Sequence, residues 1–331
     1  MTSAFAYIGS SQVETSVIAR LEEAGYIRTT DVHCADIVFT HALNQSQLED
    51  IYFDDNGLIQ QAKPGTLLVD LSSTTPSFAR ELNAVATVSD LFAVEAPLVL
   101  EDMFAVDALS NRENVTILLG GDQDALSQVM EYAEVLAHRV EVCGAAGSAE
   151  LAKAAFTIQK AACVISAIES QALYRAVRHS AGAGGGEEAG LVPVSDDAAC
   201  ALRALEAESF GSEYTLMMFM ADVAAALESA DDADLILPQA ESCLHLLELL
   251  MVVGGMDMSV SALSLLYADE KVCAEHGLDW TRAEEAFGNP YADSDDDDYL
   301  NFSGEDDYDG YPDDEDGGYF GYPGFPGYSE N

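Results

Sequence analysis

Positive charge is what this chain most lacks. Its 331 residues hold 13 Lys and Arg against 59 Asp and Glu, for a formal net charge of −46, and only four of the cations are lysines. Binding the nucleic-acid backbone or an anionic bilayer needs a basic face, and this composition excludes one. The six cysteines (Cys34, Cys143, Cys163, Cys200, Cys243 and Cys273) are scattered, with no CxxC pair and no His/Cys cluster at zinc spacing. No metal site is expected, and the cysteines read as reduced, mostly buried thiols of a cytoplasmic protein. There is no Gly-x-Ser-x-Gly elbow, and the histidines lie in unrelated contexts, so nucleophilic hydrolysis finds no support. His41 lies just past a strand end and reads by default as a packing or surface residue. The most apolar run, residues 244–253, contains His245 and Glu248 and is too short to span a bilayer. The opening residues carry no basic n-region, so no signal peptide is expected.

What is present is a globular core. At 49% hydrophobic content the chain can bury enough apolar surface for about two domains. A high-salt cytoplasm is one reading of the charge, against which the cysteines and many large apolar residues stand. Residues 1–143 alternate apolar strands with amphipathic helices, which implies a parallel sheet covered on both faces. Ala4-Phe5-Ala6-Tyr7-Ile8 reads as a strand, residues 13–24 as a helix stopped by Gly25, and 37–40 as the next clear strand. A further helix starts at Pro76 with Thr75 as its cap.

The spacing of Leu151, Phe156, Ile158, Ala162, Ile165 and Ile168 suits one helix near thirty residues long. The organisation expected is an α/β unit over 1–145, a long interdomain helix over 146–180, and an all-α C-terminal domain over 181–289, whose glycine-rich start, 181–190, reads as mobile. Residues 290–331 contain no Lys or Arg, carry runs such as Asp295-Asp296-Asp297-Asp298, and end in Gly-Tyr and Pro-Gly pairs. Such a segment cannot bury enough surface to order itself, so a disordered acidic tail is expected, with aromatic residues available to an unknown protein partner.

One stretch stands out chemically: Gly144-Ala145-Ala146-Gly147-Ser148-Ala149-Glu150-Leu151-Ala152-Lys153, a glycine turn feeding a helix that carries one of the four lysines. Three more stretches accompany it in order: Phe5-Ala6-Tyr7-Ile8-Gly9, then Ala35-Asp36-Ile37-Val38-Phe39-Thr40 with Leu43-Asn44, then Asp70-Leu71-Ser72-Ser73-Thr74-Thr75-Pro76. Glu95-Ala96-Pro97 and Leu119-Gly120-Gly121-Asp122 follow. Together, over about residues 4–175, they resemble the β-hydroxyacid dehydrogenase family, which contains 3-hydroxyisobutyrate dehydrogenase and is related to 6-phosphogluconate dehydrogenase. The resemblance implies a Rossmann-like domain for NAD or NADP, with Gly9, Ser11, Asn44, Ser72, Ser73 and Thr74 along the cofactor. It implies Lys153 as the acid/base group with Thr157 one turn on, Ser72 and Asp222 toward a small hydroxy-acid substrate, and a homodimer.

The chain also departs from the family. A dinucleotide fingerprint needs Gly-x-Gly-x-x-Gly so that the backbone can approach the pyrophosphate at a helix N-terminus. Here those positions are Gly9, Ser11 and Glu14, and Glu14 puts a carboxylate where the anion should sit. Only ten residues separate Gly25 from Asp36, whereas a full strand, helix and return strand need about thirty. Ile27-Arg28-Thr29 reads as a vestigial strand, and Arg28 as an echo of a 2′-phosphate contact. Leu98-Val99-Leu100-Glu101 replaces a small glycine-bearing loop, Thr157 an asparagine, and Ala221 a lysine beside Asp222. The expectation is a divergent member with an eroded dinucleotide site, weak or no dehydrogenase activity, and a binding or regulatory role. The alternatives are an active oxidoreductase on a small 3-hydroxy acid and a partner-binding protein working through the tail.

Overall fold

Side-chain alternation builds the first half. In the computed structural model, which describes residues 3–180 and 191–287, strands β1 (Ala4–Gly9), β2 (Ile27–Arg28), β3 (Ile37–His41), β4 (Leu67–Asp70) and β5 (Phe92–Glu95) pair in parallel. The 181–190 stretch read as mobile and the tail read as disordered lie outside the described residues. Phe5, Ile37, Phe39, Leu67, Val69 and Val94 project into one core, and Ala6, Val38, Leu68 and Ala93 into a second core on the opposite face, as a strand period of two requires. Helix α1 (Ser11–Glu23) covers the first face through Val13, Val17 and Leu21. On the second face, α2 (Gln45–Phe53), α3 (Leu58–Gln61) and α4 (Pro76–Val88) supply Leu48, Tyr52, Leu58, Phe78 and Leu82. The Thr75 hydroxyl accepts from the Phe78 N–H at 3.1 Å, and Pro76 opens α4.

The sheet is not wholly parallel. Its order is β2-β1-β3-β4-β5-β7-β6, and β8 (Arg139–Gly144) pairs with β7. The sequence reading missed β6 (Leu98–Leu100), and β7 (Val115–Gly121) runs antiparallel to both β5 and β6. The physical reason is the connection: no crossover helix lies between β6 and β7, so the chain can only return antiparallel. At the other edge β2 is two residues long, and a 3-10 turn, Val32–Cys34, leads into β3 where a helix and further strand would stand. Asp31 caps that turn by accepting from the His33 N–H.

After α5 (Gln123–Leu136) and β8, Gly147 turns the chain at φ +90°, where an added Cβ would lie 2.8 Å from the Pro76 carbonyl oxygen. Helix α6 (Ser148–Ser180) then runs 33 residues. Ala161, Val164, Ile165 and Ile168 pack it into the larger core with α7 (Asp196–Glu206), α8 (Leu216–Asp231) and α9 (Pro238–Leu250). Its span Ser148–Arg178 is long and apolar enough to cross a membrane, but half of that window is buried inside the protein. All six cysteines are free; Cys200, Cys243 and Cys273 are buried, while Cys34 is exposed.

Candidate active site

Lys153, on the second turn of α6, turns its ammonium into the protein. Its side chain is 7% exposed, and Nζ donates to the Leu98 carbonyl at 2.7 Å and to Asp222 Oδ2 at 2.5 Å. Asp222, on α8, also accepts from the Ser73 hydroxyl at 2.6 Å and from the Tyr214 hydroxyl. Burial raises the Tyr214 phenol well above its ordinary range, so it stays a donor. His41, which ends β3, is buried against the same space; burial pulls its imidazole down to about 4, and it is neutral at ordinary pH. These groups and the apolar side chains around them enclose only about 20 Å³, space for about one water.

A second lysine repeats the arrangement. Two turns along α6, Lys160 Nζ donates to the Leu100 carbonyl at 2.7 Å and pairs with Asp197 at 2.9 Å, lying 5.1 Å from the Phe156 ring centroid. Two of the chain's four lysines thus fasten carbonyls of β6 to α6 through charge-assisted bonds. The sequence carries the spacing of these lysines, but nothing in it marks the strand they hold.

The loop after β4 is drawn inward by its own polar groups. Asp70 Oδ1 accepts from the Ser72 hydroxyl at 2.6 Å and the Ser72 N–H at 3.0 Å, and the Ala42 N–H donates to Ser72 Oγ at 2.9 Å. Burial raises the Asp70 carboxyl to about 6. Ser73 reaches across to Asp222, and the Thr74 N–H donates to Glu150 at 3.0 Å. Thr157, one turn beyond Lys153, is buried and lines a smaller space with Lys153, Tyr214 and Asp222.

At the end of β1, Gly9 has φ +137°, and an added Cβ would lie 1.9 Å from the His41 carbonyl oxygen. Glycine is required there by the close approach of β1 to β3. The Ser10 hydroxyl does not cap α1; it shares a 2.5 Å hydrogen bond with His41 Nδ1. Ser11 is exposed at the start of α1, and Glu14 in the first turn pairs with Arg28 at 2.7 Å. Asn44 is exposed and caps α2, accepting from the Gln47 N–H at 2.9 Å.

The structure therefore brings Lys153, Asp222 and Ser73 into direct contact, with Ser72, Thr74 and Thr157 immediately around them, and leaves Gly9 and Ser11 at the α1 turn and Asn44 on the α2 cap. Sequence reasoning missed Tyr214, Lys160 and Glu150. Glu150 looks like an ordinary acid in a helix first turn, and Tyr214 carries no local signal.

Residues 9–144 match the family model of the NAD-binding domain of 6-phosphogluconate dehydrogenase. An uncharacterised oxidoreductase of Bacillus subtilis is 30% identical over 138 residues, which are 42% of this chain and 46% of that protein. An NAD-dependent L-serine dehydrogenase of Pseudomonas aeruginosa is 28% identical over 43% of this chain and 46% of its own length; the chain spans just under half of these two relatives. The 2-hydroxy-3-oxopropionate reductase of Escherichia coli is 25% identical over 69% of this chain and 77% of its own length. The solved structure of Mycobacterium tuberculosis 3-hydroxyisobutyrate dehydrogenase with L-serine has a TM-score of 0.63 over 81% of this chain and 100% of that one, at 19% identity, a likeness of fold. Residues 9–144 accordingly form a domain of the type that takes NAD or NADP, and the chain is similar to the β-hydroxyacid dehydrogenases.

Proposed function

We propose that this chain keeps the family scaffold but has lost dinucleotide-dependent hydride transfer, and works as a binding or regulatory protein. The observation that carries the reading is the state of Lys153: its ammonium is committed to Asp222 and Leu98 in a space of about 20 Å³, too small for a nicotinamide or a hydroxy acid. The residues present do not fit a dinucleotide at the other end either. The Glu14 carboxylate occupies the first turn of α1, Arg28 is paired with it, and among the described residues no strand lies beyond the two residues of β2 to carry an adenosine. The net field of the chain further opposes an anionic cofactor.

A binding role has somewhere to act. Across β6 from Lys153 lies a groove of about 840 Å³, lined by Val99, Leu118, Phe156, Lys160, Cys200 and Arg203 among others, within the usual size of small-molecule sites. A homodimer would bury the outer face of α6, where Leu151 and Leu173 are exposed. The tail remains the candidate contact for a protein partner.

A second reading, an active oxidoreductase on a small 3-hydroxy acid, draws on the meeting of Lys153, Ser73 and Asp222 in one cavity. Turnover separates the two. With NAD or NADP and either L-serine or 3-hydroxyisobutyrate, no reaction above background is expected; steady turnover that disappears in Lys153→Ala would establish the second reading instead.

A further inference from the structure

Loop 70–76 and the start of α6 meet over three buried carboxyl groups. Asp70 is held by Ser72, Glu95 accepts from the Gly147 N–H at 2.9 Å and the Ala149 N–H at 2.7 Å, and Glu150 Oε2 accepts from the Thr74 N–H at 3.0 Å. Glu150 Oε1 and Thr74 Oγ1 have no hydrogen-bond partner, although their residues are only 1% and 2% exposed.

Among the described residues, no cation pairs directly with the three acids. Lys153, which faces Glu150 from one turn along α6, is committed to Asp222 and Leu98. Arg80 of α4 lies beside Gly147, Tyr52 and Tyr7 face Asp70, and Cys143 of β8 faces Glu95.

A dry carboxylate with one oxygen unbonded is costly, and a proton on that oxygen removes the charge and with it the larger part of the cost. We propose that Glu150 is a proton-operated latch: protonated, it seats the first turn of α6 against loop 70–76, and ionised, it is repelled by Asp70 and Glu95 and releases the loop. Ser73, on the released loop, is one of the groups bonded to Asp222, so release also loosens the seal over Lys153. Burial acts on all three acids in the same direction, raising Glu150 well above the usual carboxylate range, Glu95 upward, and Asp70 to about 6. The closed form therefore belongs to the acid side.

The test compares the full-length protein with Glu150→Gln, an isosteric and permanently neutral side chain. Glu81→Gln, at an exposed position on α4, controls for the change in net charge. Amide exchange of residues 73–75 and 147–152, corrected for intrinsic rate, is followed at about pH 5 and about pH 8. The wild type is expected to protect these amides at the lower pH and lose protection by about tenfold or more at the higher one. Glu150→Gln is expected to protect them at both, and to melt about 4 °C above wild type only at the higher pH. Three results would overturn the latch: wild-type protection independent of pH, equal loss of stability in Glu150→Gln at both pH values, or the same gain from Glu81→Gln. Should Glu150→Gln fail to fold, Asp70→Asn decides: loss of protection at the higher pH that persists in it supports the latch, and protection that no longer depends on pH assigns the change to Asp70 and overturns it.

Discussion

Asp222→Asn and Lys153→Met should not cost the same. With Asp222 changed to the amide, the Lys153 ammonium, 7% exposed, retains only the Leu98 carbonyl. Stranding one partner of a buried ion pair costs about 3–5 kcal/mol. Removing the lysine instead leaves Asp222 still accepting from the Ser73 and Tyr214 hydroxyls. Bonds to a charged acceptor are worth about 1.5–3 kcal/mol each, so the carboxylate stays satisfied and the expected loss is about 2 kcal/mol or less. The double variant carries neither charge and should recover about 2 kcal/mol of the Asp222→Asn loss, a coupling typical of groups in direct contact. Urea unfolding reads all three through the midpoint at constant slope. Should both single variants and the double stay within about 0.5 kcal/mol of wild type, the level of a surface substitution, the ammonium faces solvent and the sealed site does not exist.

Other outcomes follow from the same geometry. Asp70 is raised to about 6, so its contribution to stability is complete below its ordinary carboxylate range and is lost as pH rises through 6. His41 is lowered to about 4, so its contribution is complete above the ordinary imidazole value and is lost as pH falls toward 4. Between about pH 4 and 6 the two changes run in opposite directions and largely cancel, so thermal melts of Asp70→Asn should climb with pH across that range more steeply than those of the wild type, and identical pH profiles would contradict the Asp70 assignment. Gly9→Ala must move a Cβ that would sit 1.9 Å from the His41 carbonyl oxygen at φ +137°; a loss of about 3 kcal/mol or more is expected in denaturant unfolding, and a neutral outcome would refute the close approach of β1 to β3. Lys160→Met should destabilise by about 2 kcal/mol, leaving Asp197 and the Leu100 carbonyl without their donor; unchanged melting would mean that β6 is not fastened this way.

Much of the scaffold was legible because local signals agreed with the final packing. Thr75-Pro76 starts α4 where a hydroxyl cap and proline at the first helical position predict it, and the apolar spacing after Glu150 foretold one helix, α6. The shortness of the Gly25 to Asp36 segment was likewise readable, and it appears as the two-residue β2 and the 3-10 turn. What sequence could not carry was contact across long separations. Leu98-Val99-Leu100 reads as a bulky substitute for a substrate loop, yet it is a strand whose carbonyls accept from Lys153 and Lys160, 55 and 60 residues away. Ser73 meets Asp222 across 149 residues of sequence. Glu150 carries the pattern of a solvated acid in a helix first turn, and its burial depends on Thr74 and the loop of another element.

Equilibrium titration of the full-length protein with NADH and NADPH, followed by cofactor fluorescence and calorimetry at low and high salt, bears most directly on the proposed loss of the cofactor site. Glu14→Gly is titrated alongside, since removing that carboxylate restores neither the missing strand and helix beyond β2 nor space beside Lys153. No saturable binding by either protein is expected at cofactor concentrations up to about 1 mM, where binding free energy falls to about −4 kcal/mol. One-to-one saturation of the wild type at micromolar concentration would contradict the eroded site and return the chain to the working dehydrogenases.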